Sequence, residues 1–138
     1  MKIKNLLTAN AILSIGLGIA FALYGPLMIS LYGILNVQDG NALQYWQTAS
    51  FARMFGAALF GMGFLIYALR GVFESAGAPP ETRRGILFAM LLANLIGVFT
   101  AATQQASVWN TLTGWITVGI FTVLLLAYGY FIATGRLE

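Results

Sequence analysis

The chain contains neither cysteine nor histidine, and only 8% of its 138 residues are charged. The first absence removes disulfides, thiolate nucleophiles and thiolate metal sites. The second removes the commonest metal ligand and general base and the usual axial ligand of haem. Charge is scarcer than a soluble surface allows, since soluble domains carry about 25% charged residues. The acidic side chains are Asp39, Glu74, Glu81 and Glu138, and each lies outside the long apolar runs. The expectation is therefore no catalytic residue, no metal and no cofactor, with an enzyme or transporter ranked third, behind a non-enzymatic role and a binding role. The net charge of +3 does not point to nucleic acid, because the cations sit at the ends of apolar segments and not in a patch.

What is present is apolar: 59% hydrophobic residues and a mean hydropathy of +0.83. The solvent for such a chain is mostly lipid. Four stretches approach the roughly 20 residues needed to cross a bilayer, at about 6–24, 44–69, 85–103 and 111–132. The fold expected is an all-α integral membrane protein, an antiparallel four-helix transmembrane bundle forming one domain over 1–138. The first stretch follows the basic start Met1-Lys2-Ile3-Lys4 and has the layout of a secretory signal. It is expected to be an uncleaved helix, because the rest of the chain is itself membrane-embedded. Gly25-Pro26 should break that helix, and 27–35 is too short to span and reads as an interfacial segment. Pro79-Pro80 should bar a helix in the main hydrophilic loop. Whether Leu137 and Glu138 are native is not decided by the sequence.

Lys2, Lys4, Arg70, Arg83, Arg84 and Arg136 all fall on one side of a four-span layout. The positive-inside rule then places both termini and the Pro79 loop in the cytoplasm. The expected location is the cytoplasmic membrane of a bacterium. Expected partners are the lipid bilayer and either a membrane-protein partner or a second copy of the chain, with no nucleic acid.

Small residues recur every four positions at Asn10, Ser14, Gly18 and Ala22, and again at Ala89, Ala93, Gly97 and Ala101. Such stripes let helices approach closely. Asn10 and Asn94 lie at similar depth in the first and third spans, which suits either hydrogen bonds between helices or a polar pocket with Thr100, Thr103 or Thr117. Ala9-Asn10 and Ala93-Asn94 also form a faint internal echo, compatible with duplication or with chance. Tyr24, Tyr32, Trp46, Tyr67, Trp109, Trp115, Tyr128 and Tyr130 are placed as interface markers.

Arg53 is the one charge inside a spanning stretch. It precedes Arg70 by 17 residues, about 25 Å along a helix. It therefore lies a few ångströms below the outer edge of a hydrocarbon core roughly 30 Å thick. Three roles follow: an anchor that snorkels or forms a structural ion pair with Asp39, a contact for a protein partner, or a ligand-binding group with Asn94 and Asn10 around an outward-facing pocket. Gly56, Ala57, Phe60, Gly61 and Phe64 extend the face of Arg53, and small residues there suggest that this face looks inward.

Pro26 with Leu31-Tyr32-Gly33, Ala52-Arg53-Met54-Phe55-Gly56-Ala57, and the later Gly61 and Gly63 together resemble a broad group of small bacterial four-helix membrane proteins that are DoxX-like in a loose sense. The resemblance covers the chain in layout and rests on short motifs. It implies a four-helix membrane fold and a loose link to redox or membrane-complex roles, and it carries over no catalytic residue. Proton-coupled four-helix drug pumps, thiol oxidoreductases, di-haem cytochromes and integral terpene cyclases each require intramembrane carboxylates, paired cysteines or histidines that this chain lacks. The function expected is a non-enzymatic membrane protein that acts through helix-helix contacts, as an accessory subunit of a larger complex. The alternative is a protein that binds lipid or a small hydrophobic ligand near Arg53.

Overall fold

The computed structural model describes residues 2–34, 42–75 and 77–135, and among these every regular element is helical. The elements are α1 (Ile3–Leu23), α2 (Gly25–Leu31), α3 (Ala42–Glu74), α4 (Pro80–Gln104) and α5 (Leu112–Thr134). A single π-helical turn, Gln105–Trp109, extends α4. Four of these helices are long and apolar enough to cross a membrane.

Local sequence explains the ends. Tyr24 closes α1 by donating its N–H to the Ala20 carbonyl, and Pro26 then sits in the first turn of α2, where its missing N–H costs nothing. The break expected at Gly25-Pro26 is thus a cap between two helices. Gly33 ends α2 in the left-handed region at φ +69°. The N–H of Ile34 reaches back to the Ile29 carbonyl and that of Gly33 to Ser30, both at 3.0 Å. These two bonds make a complete Schellman cap. Pro79-Pro80 does not bar a helix. Pro80 is the first residue of α4, a position where proline is favoured. Glu81 follows in the first turn, where a carboxylate complements the helix dipole. Asn110, at φ 50°, turns the chain after the π turn, and Thr111 caps α5 by accepting from the Gly114 N–H at 3.2 Å.

α1 and α3 form the tightest pair. Along α3 a line of buried and half-buried residues runs through Ala49, Ala52, Gly56, Leu59, Gly63, Ile66, Arg70 and Phe73, with Tyr45, Thr48, Leu69 and Val72 half-buried beside it. The spacing along that line alternates between three and four, the heptad pattern of a coiled-coil seam. Ala49, Gly56 and Gly63 stand every seventh residue, where side-chain bulk would hold the helices apart. A Cβ on Gly63 would lie 2.6 Å from Ile15 Cγ1 and 3.0 Å from the Ala11 carbonyl, and one on Gly56 would collide with the backbone of Ala22. A Cβ on Gly18 would lie 2.5 Å from Phe60 N. Contacts on α3 therefore step backward as those on α1 step forward.

α4 and α5 form the second pair. The Phe121 ring lies over Gly97, and Leu91 approaches Gly129. The two pairs meet in an apolar core of Ile3, Leu7, Ile66, Phe73, Leu87, Leu124 and Phe131, with Tyr128 among them. All four long helices contribute to this core, at the end that holds the start of α1. At the other end α2 bridges the pairs. Tyr32 stacks edge-on against Trp109, with centroids 4.8 Å apart.

Candidate functional site

Of the four buried polar residues among those described, Asn10 and Ser14 lie where the two helix pairs touch. Asn10 on α1 donates from Nδ2 to the Tyr128 hydroxyl on α5 at 2.9 Å. Its Oδ1 accepts from Ser14 Oγ at 3.4 Å. Tyr128 is 0% exposed, and Asn10 and Ser14 are also buried. The small stripe of α1 explains their position. Asn10 and Ser14 lie on its inward face with Gly18, where their hydrogen bonds satisfy them in the bundle interior.

Asn94 is buried as well, but it turns back onto its own helix, with Nδ2 donating to the Met90 carbonyl at 2.7 Å. No hydrogen bond joins it to Asn10 or Tyr128. Of the threonines considered for a pocket, Thr103 bonds to the Phe99 and Thr100 carbonyls. Thr117 bonds to the Tyr32 hydroxyl at 2.6 Å. The latter is a second link between the helix pairs.

Arg53 stands apart. It is exposed, as are Ala57, Phe60, Gly61 and Phe64, while Gly56 alone of that group is buried. The inward face of α3 is the heptad seam, and Arg53 lies on its flank, four residues after Ala49. Its aliphatic stem covers Gly25, whose Cβ would lie 3.0 Å from Arg53 Cγ. Hence the face of Arg53 turns outward, and its stem packs while its head points away from the bundle interior. Asp39, the expected ion-pair partner, lies outside the described residues. Arg53 is level with Gly25, and Asn10 is fifteen residues away along α1, about 22 Å. The three residues expected to share a pocket, Arg53, Asn94 and Asn10, are therefore not brought together.

Three residues carry more than the sequence suggested. Tyr128 and Tyr32, both taken for interface markers, are buried and hydrogen-bonded across helices. Tyr24 and Tyr130 remain exposed. Gln105, expected in a loop, is buried in the π turn against Gly114. For Tyr128 a signal exists: it is the tyrosine furthest from the end of α5 on the face of Leu124 and Phe131, four residues after one and three before the other.

The Asn10–Ser14–Tyr128 cluster is buried and holds no carboxylate or amine. Its hydrogen bonds can orient the helices against one another. Among the described residues no group of three or more carboxylates comes together to hold a metal. No family model matches the chain, and comparison with curated proteins and with solved structures gives no match.

Proposed function

We propose that the protein is a non-enzymatic integral membrane protein, an antiparallel four-helix bundle that works through lateral helix contacts as a subunit of a larger membrane assembly. The observation that carries this reading is the free face of α3. Only 17% of the most apolar window of α3 is buried within the chain, the same share as in α4 and α5, so what sets α3 apart is which residues its face carries. Phe51, Met54, Phe55, Phe64 and Leu65 are all more than half exposed. Ala57, Ala58 and Gly61 lie exposed among them. Large side chains alone suit lipid. Small residues set between aromatic ones suit a second helix, which needs both close approach and knobs to pack.

The bilayer placement follows from length and charge. α3 has 33 residues, about 50 Å, so it passes beyond a core of roughly 30 Å at one end or both. Lys2, Lys4, Arg70, Arg83 and Arg84 sit at the end of the bundle with the apolar core, which the positive-inside rule assigns to the cytoplasm. A bacterial cytoplasmic membrane and kinship with the DoxX-like group belong to the same proposal, on the layout and motifs described above.

The absence of cysteine gives a direct test. Phe51→Cys, Met54→Cys and Phe64→Cys each place one thiol on the free face, and Leu126→Cys places one on the exposed side of α5. Membranes carrying each variant are treated with a short bifunctional thiol reagent. The expected result is one discrete adduct from the α3 positions and none from Leu126→Cys. A chain that stays monomeric at all three α3 positions, and purifies in mild detergent without a companion protein, overturns the proposal. It would favour the alternative, a binder of lipid or a small hydrophobic ligand near Arg53.

A further inference from the structure

An open cleft of about 430 Å³ lies between the start of α1 and the end of α3. Its lining is graded. Lys4, Asn5, Arg70 and Glu74 occupy one end, and Ala9 and Ile12 the other. Lys4 and Ile12 are eight residues apart on one helical face, about 12 Å along the axis. The gradient runs from charge at the end of the bundle to apolar surface toward its middle. A membrane lipid has the same polarity profile over the same length. A water-soluble phosphate matches only one half of it.

The charges suit an anion. Arg70 and Lys4 bring two cations from different helices, against one carboxylate. Glu74 Oε1 lies 3.5 Å from Arg70 Nε, an ion pair without a hydrogen bond, and the guanidinium lies 4.5 Å above the Tyr67 ring. These contacts lean the guanidinium toward the cleft, and its terminal Nη groups have no protein hydrogen bond. Arg70 also holds a half-buried seam position where the heptad would place an apolar side chain. Its charge is therefore held at the cleft and is not free to wander. Thr8 spends its hydroxyl proton on the Lys4 carbonyl at 2.8 Å, so it contributes room and not a donor. The exposed Asn5 amide has no protein partner and can add one.

We propose that this cleft binds the phosphate of an anionic membrane lipid. Lys4 and Arg70 hold the phosphate, and an acyl chain lies along Ala9 and Ile12. Basic pockets between helices on the cytoplasmic side are suited to such headgroups. The proposal rests on the membrane placement above but not on the subunit role.

The test uses the full chain in mild detergent, mixed with phosphatidylglycerol or phosphatidylcholine, with retained lipid read by native mass spectrometry. Phosphatidylglycerol should be retained preferentially. Lys4→Gln and Arg70→Gln should each lower that retention about fivefold, the effect of roughly 1 kcal/mol per cation near an anionic headgroup. Ala9→Trp should lower it by filling the apolar end without changing charge. Arg84→Gln, a cation at the same level outside the cleft, should leave it unchanged. Should Arg70→Gln fail to fold, the exposed Lys4 and Ala9 variants decide. Equal retention of the two lipids, wild-type retention by Lys4→Gln, or an equal loss with Arg84→Gln overturns the proposal. Displacement of the lipid by glycerol phosphate overturns it in favour of a free-phosphate site. A chain that stays dispersed without detergent and retains neither lipid removes the membrane placement itself.

Discussion

A buried tyrosine hydroxyl in an apolar bundle needs a partner, because nothing around it can replace water. Tyr128 finds Asn10, and that single bond ties α1 to α5 across the junction of the two helix pairs. Such bonds in membranes contribute about 0.6 kcal/mol on average and up to about 2. Tyr128→Phe should therefore destabilise the bundle by about 1 kcal/mol, since it also strands the Asn10 amide. Tyr130→Phe, on an exposed neighbour, should change nothing. Unfolding of each variant in mixed detergent micelles measures both, and equal stability of the two would remove the bond from any account of the fold. Gly33 is a second residue with a fixed duty. It is left-handed, and a Cβ there would lie 3.1 Å from Thr111 Cγ2. Gly33→Ala should cost roughly 1–2 kcal/mol for the left-handed backbone alone, with the contact to Thr111 adding to it. The same unfolding assay reads the loss.

At the scale of the element, α3 shows what the sequence made legible and what it hid. Its existence and approximate span follow from hydropathy, and so do those of α1, α4 and α5. The direction in which α3 faces does not. In a soluble helix the apolar side marks the interior, but a helix that is apolar all round has no such contrast. The information lies in the small residues, and α3 has two sets of them: Gly56 and Gly63 on the seam, Ala57 and Gly61 opposite. Starting from Arg53 selects a face that includes the second set and points outward. The seven-residue spacing of Ala49, Gly56 and Gly63 selects the right one. Asn10 in α1 was legible as an inward polar residue, while its partner was hidden, because a tyrosine near a helix end also fits an interface belt. The two nearby glycines give a sharp check. Gly63→Ile drives bulk into Ile15 and the α1 backbone and should cost about 1–3 kcal/mol or more. In the isolated chain Gly61→Ile enters open space and should cost nothing and even favour the helix, since glycine is a poor helix former. Circular dichroism during thermal unfolding separates them, and similar midpoints for the two variants would break the seam assignment.

At the scale of the whole molecule, the two ends of the bundle differ in chemistry. One end gathers the apolar core, the cations of α1, α3 and α4, and the bond from Arg83 Nη2 to the Ser75 carbonyl at 2.6 Å. The opposite end has Arg53 as the sole lysine or arginine among the described residues, and it is closed by aromatic contacts from Phe21, Tyr32, Phe55 and Trp109. This asymmetry fixes orientation if the bundle spans a membrane, because translocating several cations is far more costly than translocating one. Ser75 and Ser107 are exposed and mark the two ends. Ser75→Cys and Ser107→Cys therefore report the sidedness of a chain that has no other thiol. In intact cells expressing each variant, a membrane-impermeant maleimide should label Ser107→Cys and leave Ser75→Cys unmodified until the cells are opened. The reverse pattern would invert the bundle and place the Lys4–Arg70 cleft against the outer leaflet. Labelling of both positions in intact cells would contradict a four-span layout, because it would put the α3–α4 and α4–α5 connections on the same side.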